Sequence, residues 1–137
     1  MRDEVGECGG TEGALATEVA LLLRDWKNLV AAVEEGYGWS APELDHDAWC
    51  RRSLARLWPN LPEAVERSLQ PVLDGLDVRF RAATVPWPDI HGAHEGEWGT
   101  RRIPRLLEPE SGELYRNGWP DGWDMLPFPR PDSVSVI

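Results

Sequence analysis

Residues 15–33 read LATEVALLLRDWKNLVAAV, and this stretch decides the fold. Leu15, Val19, Leu22, Trp26, Leu29 and Val33 recur at intervals of four, three, four, three and four residues. At about 3.6 residues per turn, those intervals put all six side chains on one stripe of an α-helix. Glu18, Arg24, Asp25, Glu34 and Glu35 fall mostly off the stripe, where water solvates them. Gly36 follows the last apolar position and can take the left-handed stop conformation. The spacing predicts a first helix over residues 13–35, after a polar, Gly-rich lead-in over residues 1–11. Five polar residues, Glu18, Arg24, Asp25, Lys27 and Asn28, interrupt the apolar run and disqualify it as a membrane span.

The pattern continues downstream. After the aromatic link Tyr37-Gly38-Trp39, Ser40-Ala41-Pro42-Glu43 has the form of a capping box with Pro in the first turn. A second helix is expected from there to Trp58, with another start possible at Asp45 or Asp47, and Pro59 stops it. Its buried side carries Cys50, Leu54 and Leu57, flanked by Trp49 or Trp58. Asn60-Leu61-Pro62-Glu63 opens a third helix, whose stripe is Leu61, Val65, Leu69, Val72, Leu76, Phe80 and Ala83. Pro71 lies inside it, removes a backbone donor and predicts a kink or a division. Asp47 with Arg51, Glu63 with Arg67 and Asp77 with Arg81 are spaced as surface ion pairs.

Helical periodicity is lost at Pro86. Residues 86–137 hold eight of the twelve prolines and four of the eight tryptophans. A helical turn around Arg105-Leu106-Leu107 and short strands at 98–103 and 133–137 are the regular pieces expected there. A segment so rich in Trp has much apolar area to bury, which favours an arm wrapped across the helices over one left open for a partner. The fold class is therefore mainly α: one domain over residues 1–137, with a three-helix core over 12–85 and an irregular Pro/Trp-rich arm over 86–137.

Charge and composition narrow the function. The chain has 137 residues, the size of one domain, and 42% of them are hydrophobic. Its net charge of -10 repels phosphate backbones and anionic membrane surfaces, so neither nucleic acid nor membrane is an expected partner. A basic protein is the partner that charge favours. Cys8 and Cys50 make neither a disulfide framework nor a metal spacing and read as free thiols of the cytoplasm. The first six residues lack the basic and apolar regions of a secretory leader.

Three segments hold side chains that do chemistry elsewhere. His91 and His94, with Glu95 and Glu97, can ligate a divalent metal, but their spacing in a Gly-rich loop supplies no rigid scaffold. Asp45-His46-Asp47 can hold an acid–base histidine, or serve as an acidic amino-terminal helix cap, the favoured reading. Arg79 beside the aromatic end of the third helix can pin helix to arm, the favoured reading, or bind a carboxylate. Trp39, Arg79, Trp87, Trp98, Trp119 and Trp123 are the candidate binding residues, since Trp and Arg dominate protein-binding hot spots. No phosphate-cradling loop, dinucleotide fingerprint, nucleophile elbow or HExxH occurs, and no cofactor is expected.

The segments 26–37 and 76–88 resemble uncharacterised short helical proteins of high-GC actinobacteria, which look like helical pairs followed by a Trp- and Pro-rich tail. Thirteen of the fourteen basic residues are Arg, which fits such a genome. The resemblance implies a fold pattern and a lineage and carries no activity. The expected function is a cytoplasmic interaction module, such as an immunity or antitoxin-like inhibitor of a basic protein. An accessory subunit of a larger assembly is the second expectation. A small enzyme or metal-binding protein using Asp45-His46-Asp47 or His91 and His94 is the third.

Overall fold

In the computed structural model, which describes residues 7–88 and 102–137, the stripe that begins at Leu15 forms α1 (Glu7–Glu35). Val19, Leu22, Trp26, Leu29 and Val33 are buried, Leu15 is partly so, and Leu23 and Val30 widen the stripe on one side. The helix starts six residues before its expected first residue, so the lead-in is shorter than residues 1–11. It ends at Glu35, where Gly36 takes φ +130. A Cβ at Gly36 would stand 3.1 Å from Glu108 and from Ile137, so glycine also makes room for the carboxyl-terminal chain.

The expected second helix is two helices. The Ser40 hydroxyl accepts from the Glu43 N–H at 3.3 Å and caps α2 (Ala41–Asp47). After a turn at Ala48 the chain restarts as α3 (Trp49–Leu57), and a 3-10 turn over Trp58–Asn60 absorbs Pro59. Asp45, His46 and Asp47 are thus the last turn of α2, not an amino-terminal cap, because Ser40 has already started that helix. The break also removes the expected Asp47–Arg51 pair, since the two residues no longer share one continuous helix.

The third expected helix is α4 (Glu63–Ala82), preceded by Pro62 without a side-chain cap. It runs undivided through Pro71, whose ring lies at the exposed surface. Leu73, Leu76 and Phe80 are its buried apolar residues, with Val65 and Leu69 packed at the edge. Val72 is 50% exposed: the buried line steps four residues from Leu69 to Leu73, where a step of three was expected. The Glu63–Arg67 pair forms at 3.1 Å on the surface. Asp77 does not pair with Arg81 there; it is buried.

The buried Asp77 ties three helices together. Its Oδ1 accepts from Trp26 Nε1 at 3.1 Å and from Arg51 Nε at 2.9 Å, and its Oδ2 accepts from Arg51 Nη2 at 2.9 Å. Trp26 packs on Phe80 with ring centroids 4.8 Å apart. One carboxylate therefore links α1, α3 and α4 inside the same apolar cluster. Carboxylate and guanidinium lose their water there, and the two parallel hydrogen bonds of the fork offset that cost.

The chain beyond α4 is held by short strands. β1 (Thr84–Pro86) pairs antiparallel with β2 (Arg102–Pro104), Val85 facing Ile103. β3 (Leu106–Leu107) runs parallel to β4 (Ser135–Val136) and bridges Tyr37 on its other side. Residues 105–107 are therefore extended and not a helical turn, because backbone partners on both sides satisfy them. Ile103, Leu107, Trp119, Trp123, Leu126, Phe128 and Val134 join the buried cluster of the helices. The molecule is mainly helical, and among the described residues no helix is long and apolar enough to cross a membrane.

Candidate functional site

The end of α1, the link after it and the α2–α3 turn border an open cavity of about 390 Å³. Trp39 and Trp49 line it, 67% and 50% exposed. Asp25 from α1 and Asp47 from α2 bring two carboxylates, and Leu29 and Cys50 bring apolar surface. His46 lines the cavity as well, and among the described residues no Lys or Arg does. Large apolar side chains left half open to water beside two carboxylates make this cavity a candidate for an occupant.

Local chemistry sets each wall. Tyr37 is 2% exposed, and its hydroxyl donates to Asp47 Oδ2 at 2.7 Å, which orients that carboxylate. Burial, and then the bond to Asp47, push the Tyr37 phenol well above its usual range, so it stays a donor. Trp123 Nε1 donates to the Trp39 carbonyl at 2.9 Å and pins the link that carries the Trp39 side chain. The Ala41 N–H donates to the Gly122 carbonyl at 2.9 Å. Gly122 has φ +92, and a Cβ there would come within 3.0 Å of Ser40, so only glycine lets the carboxyl-terminal segment approach this closely. Among the described residues Asp25 meets a long, exposed contact at 3.5 Å from Arg24, the neighbouring residue.

Cys50 faces this cavity as an inert thiol. Burial, and next the Asp25 carboxylate, push it up to about 11, and its Sγ–H donates to the Asp47 carbonyl at 3.2 Å. Alkylation at neutral pH should therefore run about a hundredfold slower in the folded protein than in urea, following the two pKa units of thiolate lost. Peptide-resolved mass spectrometry checks this, since the chain also contains Cys8. Equal rates in the two states would refute the burial. The sign for stability follows from the same shift. Between about 9 and 11 the unfolded chain sheds this proton while the folded one keeps it, so stability falls as pH rises through that window.

The residues singled out from the sequence separate in space. Trp119 and Trp123 are 0% and 2% exposed, stacked with centroids 6.0 Å apart, and Trp119 Nε1 donates to the Phe128 carbonyl at 2.7 Å. They are core anchors and offer no face to a ligand. Trp87 packs edge-on against Phe128 at 5.2 Å. Arg79 forks onto the Glu34 carboxylate at 3.0 and 2.7 Å, joining α4 to α1 where a link to the arm or to a ligand was expected. Trp98, His91 and His94 lie outside the described residues.

Asp45 pairs with Arg52 at 3.4 Å and Asp47 takes Tyr37, so neither carboxylate is joined to His46 among the described residues. No group of three His, Cys, Asp or Glu among the described residues is placed to hold a metal ion. Of the five candidate binding residues among the described residues, only Trp39 lines the cavity. Trp49, read as a flank of the second helix, is the wall that sequence reasoning missed. Its signal was the ten-residue spacing to Trp39 across a capped turn, which means nothing until the turn is folded. Comparison of this chain with protein-family models, curated proteins and solved structures finds no match.

Proposed function

We propose that this chain is a cytoplasmic interaction protein that binds a basic protein partner through the cavity between Trp39 and Trp49. The observation that carries the reading is the placing of two largely exposed indoles with two carboxylates and, among the described residues, no lining Lys or Arg. A net charge of -10 supports it, because long-range attraction steers a basic surface to such a site. The thiol chemistry of the cavity supports it too: a protonated, buried Cys50 is a poor nucleophile. Inhibition of a basic toxin or enzyme, in the manner of an immunity protein or antitoxin, is the form of binding that a small acidic chain suits.

The test is affinity capture from the native host's lysate with the full chain and with its Trp39→Ala/Trp49→Ala variant. A basic protein in stoichiometric amount should be retained by the parent chain and lost by the variant. It should also be lost as salt rises from about 0.1 to 1 M, over which the Debye length falls from about 10 to 3 Å. Capture that ignores both changes removes the reading. Both tryptophans are half exposed or more, so the variant keeps the core intact.

A further inference from the structure

We infer that the cavity receives one arginine side chain of the basic partner, its guanidinium lying between the indoles and the Asp25 and Asp47 carboxylates. This rests on the reading above and names the group that the site recognises. Three features of the cavity converge on arginine.

The first is the pair of indoles. A cation held over an aromatic face is attracted by the ring quadrupole, and Trp is the strongest such partner. A planar guanidinium can stack on indole, whereas an ammonium acts as a point charge. The second is the preparation of Asp47. Its Oδ2 is occupied by the buried Tyr37 hydroxyl, and its Oδ1 carries no hydrogen bond among the described residues. Tyr37 therefore fixes the plane of the carboxylate before any ligand arrives, which suits a donor of fixed geometry. The third is the apolar part of the lining, Leu29 and Cys50, which can pack against the methylene stem of a long cationic side chain.

The carboxylates facing the site agree in sign, and His46 is the lining group among the described residues that gains positive charge on protonation. Asp25 comes from α1, and Asp47 and His46 from the end of α2. Glu43, on the first turn of α2, adds to the negative field felt by Tyr37. Arg24, next to Asp25, is 3.5 Å from its carboxylate and largely solvated, so it screens that group weakly.

The test is titration of the full-length protein with N-acetyl-arginine amide, followed through the assigned indole N–H signals in proton–nitrogen correlation spectra. N-acetyl-lysine amide and N-acetyl-citrulline amide, the second neutral and nearly isosteric, serve as comparisons. The arginine probe should shift the Trp39 and Trp49 indoles, and not those of Trp26, Trp119 or Trp123, saturating at roughly millimolar concentration. Citrulline should shift neither. Asp47→Asn should weaken the arginine probe about tenfold, the effect of one charge-assisted hydrogen bond. Tyr37→Phe should weaken it by a smaller factor, through loss of orientation alone.

Saturation by lysine at equal or lower concentration overturns the assignment to arginine, and so does a silent arginine titration. An unchanged spectrum elsewhere shows that each variant is folded; where Tyr37→Phe is not, Asp47→Asn decides by itself. The two proposals fail separately. A silent arginine probe with partner capture still dependent on Trp39 and Trp49 sinks the arginine inference alone. Arginine binding with partner capture indifferent to those residues sinks the partner reading alone.

Discussion

Replacing Trp26 by Ala should cost about 3–5 kcal/mol of folding stability. The side chain is 0% exposed, stacks on Phe80 and donates its indole N–H to Asp77. Truncation removes the largest buried apolar surface on α1 and leaves a cavity between α1 and α4. It also takes away one of the donors that hold the buried carboxylate. A domain of this size has about 5–15 kcal/mol in total, so the variant should unfold at far lower urea with an unchanged slope. Trp26→Phe keeps a ring against Phe80 and loses the hydrogen bond, which should cost less, about 1–3 kcal/mol. A loss below about 1 kcal/mol for the Ala variant would refute the placement of this stripe in the core.

The second large effect belongs to Asp77. Asp77→Ala should cost about 3–5 kcal/mol, because it takes the carboxylate from a buried guanidinium and the acceptor from Trp26. The cost should barely change with salt, since the side chains of Arg51 and Asp77 are 7% and 12% exposed and ions do not reach between them. The Arg79–Glu34 fork has similar geometry but is 46% and 35% exposed, so its removal should cost little, and less still at high salt.

A double-mutant cycle separates pairing from burial. Arg51→Met/Asp77→Leu should be far less destabilising than the two single changes added, because neither charge is then left in the core without the other. What remains is about 1–3 kcal/mol for the Trp26 N–H that has lost its acceptor. Additive single effects would mean that the two residues do not share a buried contact. Either outcome reads directly from urea midpoints.

Much of the local structure was legible because its causes are local. The intervals from Leu15 to Val33 specify a helix face, Gly36 a stop and Ser40 a cap, and each stands where the residue types demand. Glu63 and Arg67 pair as their spacing requires, since both sit on one uninterrupted helix. The restart at Ala48 was marked only by the acidic residues Asp45 and Asp47, which offered a second start close to it, since no Gly or Pro stands there.

The core network and the candidate site were decided by tertiary structure. Asp47 with Arg51 and Asp77 with Arg81 have the spacing of surface pairs, yet Arg51 reaches Asp77 across 26 residues and Trp26 reaches it across 51. Periodicity reports which residues share a helix face, but it cannot say which charged residue the neighbouring helices will enclose. Tryptophan count likewise measures apolar area without saying where it is spent. Trp119 and Trp123 found backbone acceptors and packed inside, while Trp39 and Trp49 stayed at the surface beside two carboxylates. Sequence by itself determined α1 with its apolar face and the capped start of α2, because helix formation depends on neighbours within four residues. Which indoles and carboxylates meet in the cavity depends on contacts made only when α1, α2, α3 and the carboxyl-terminal segment close together.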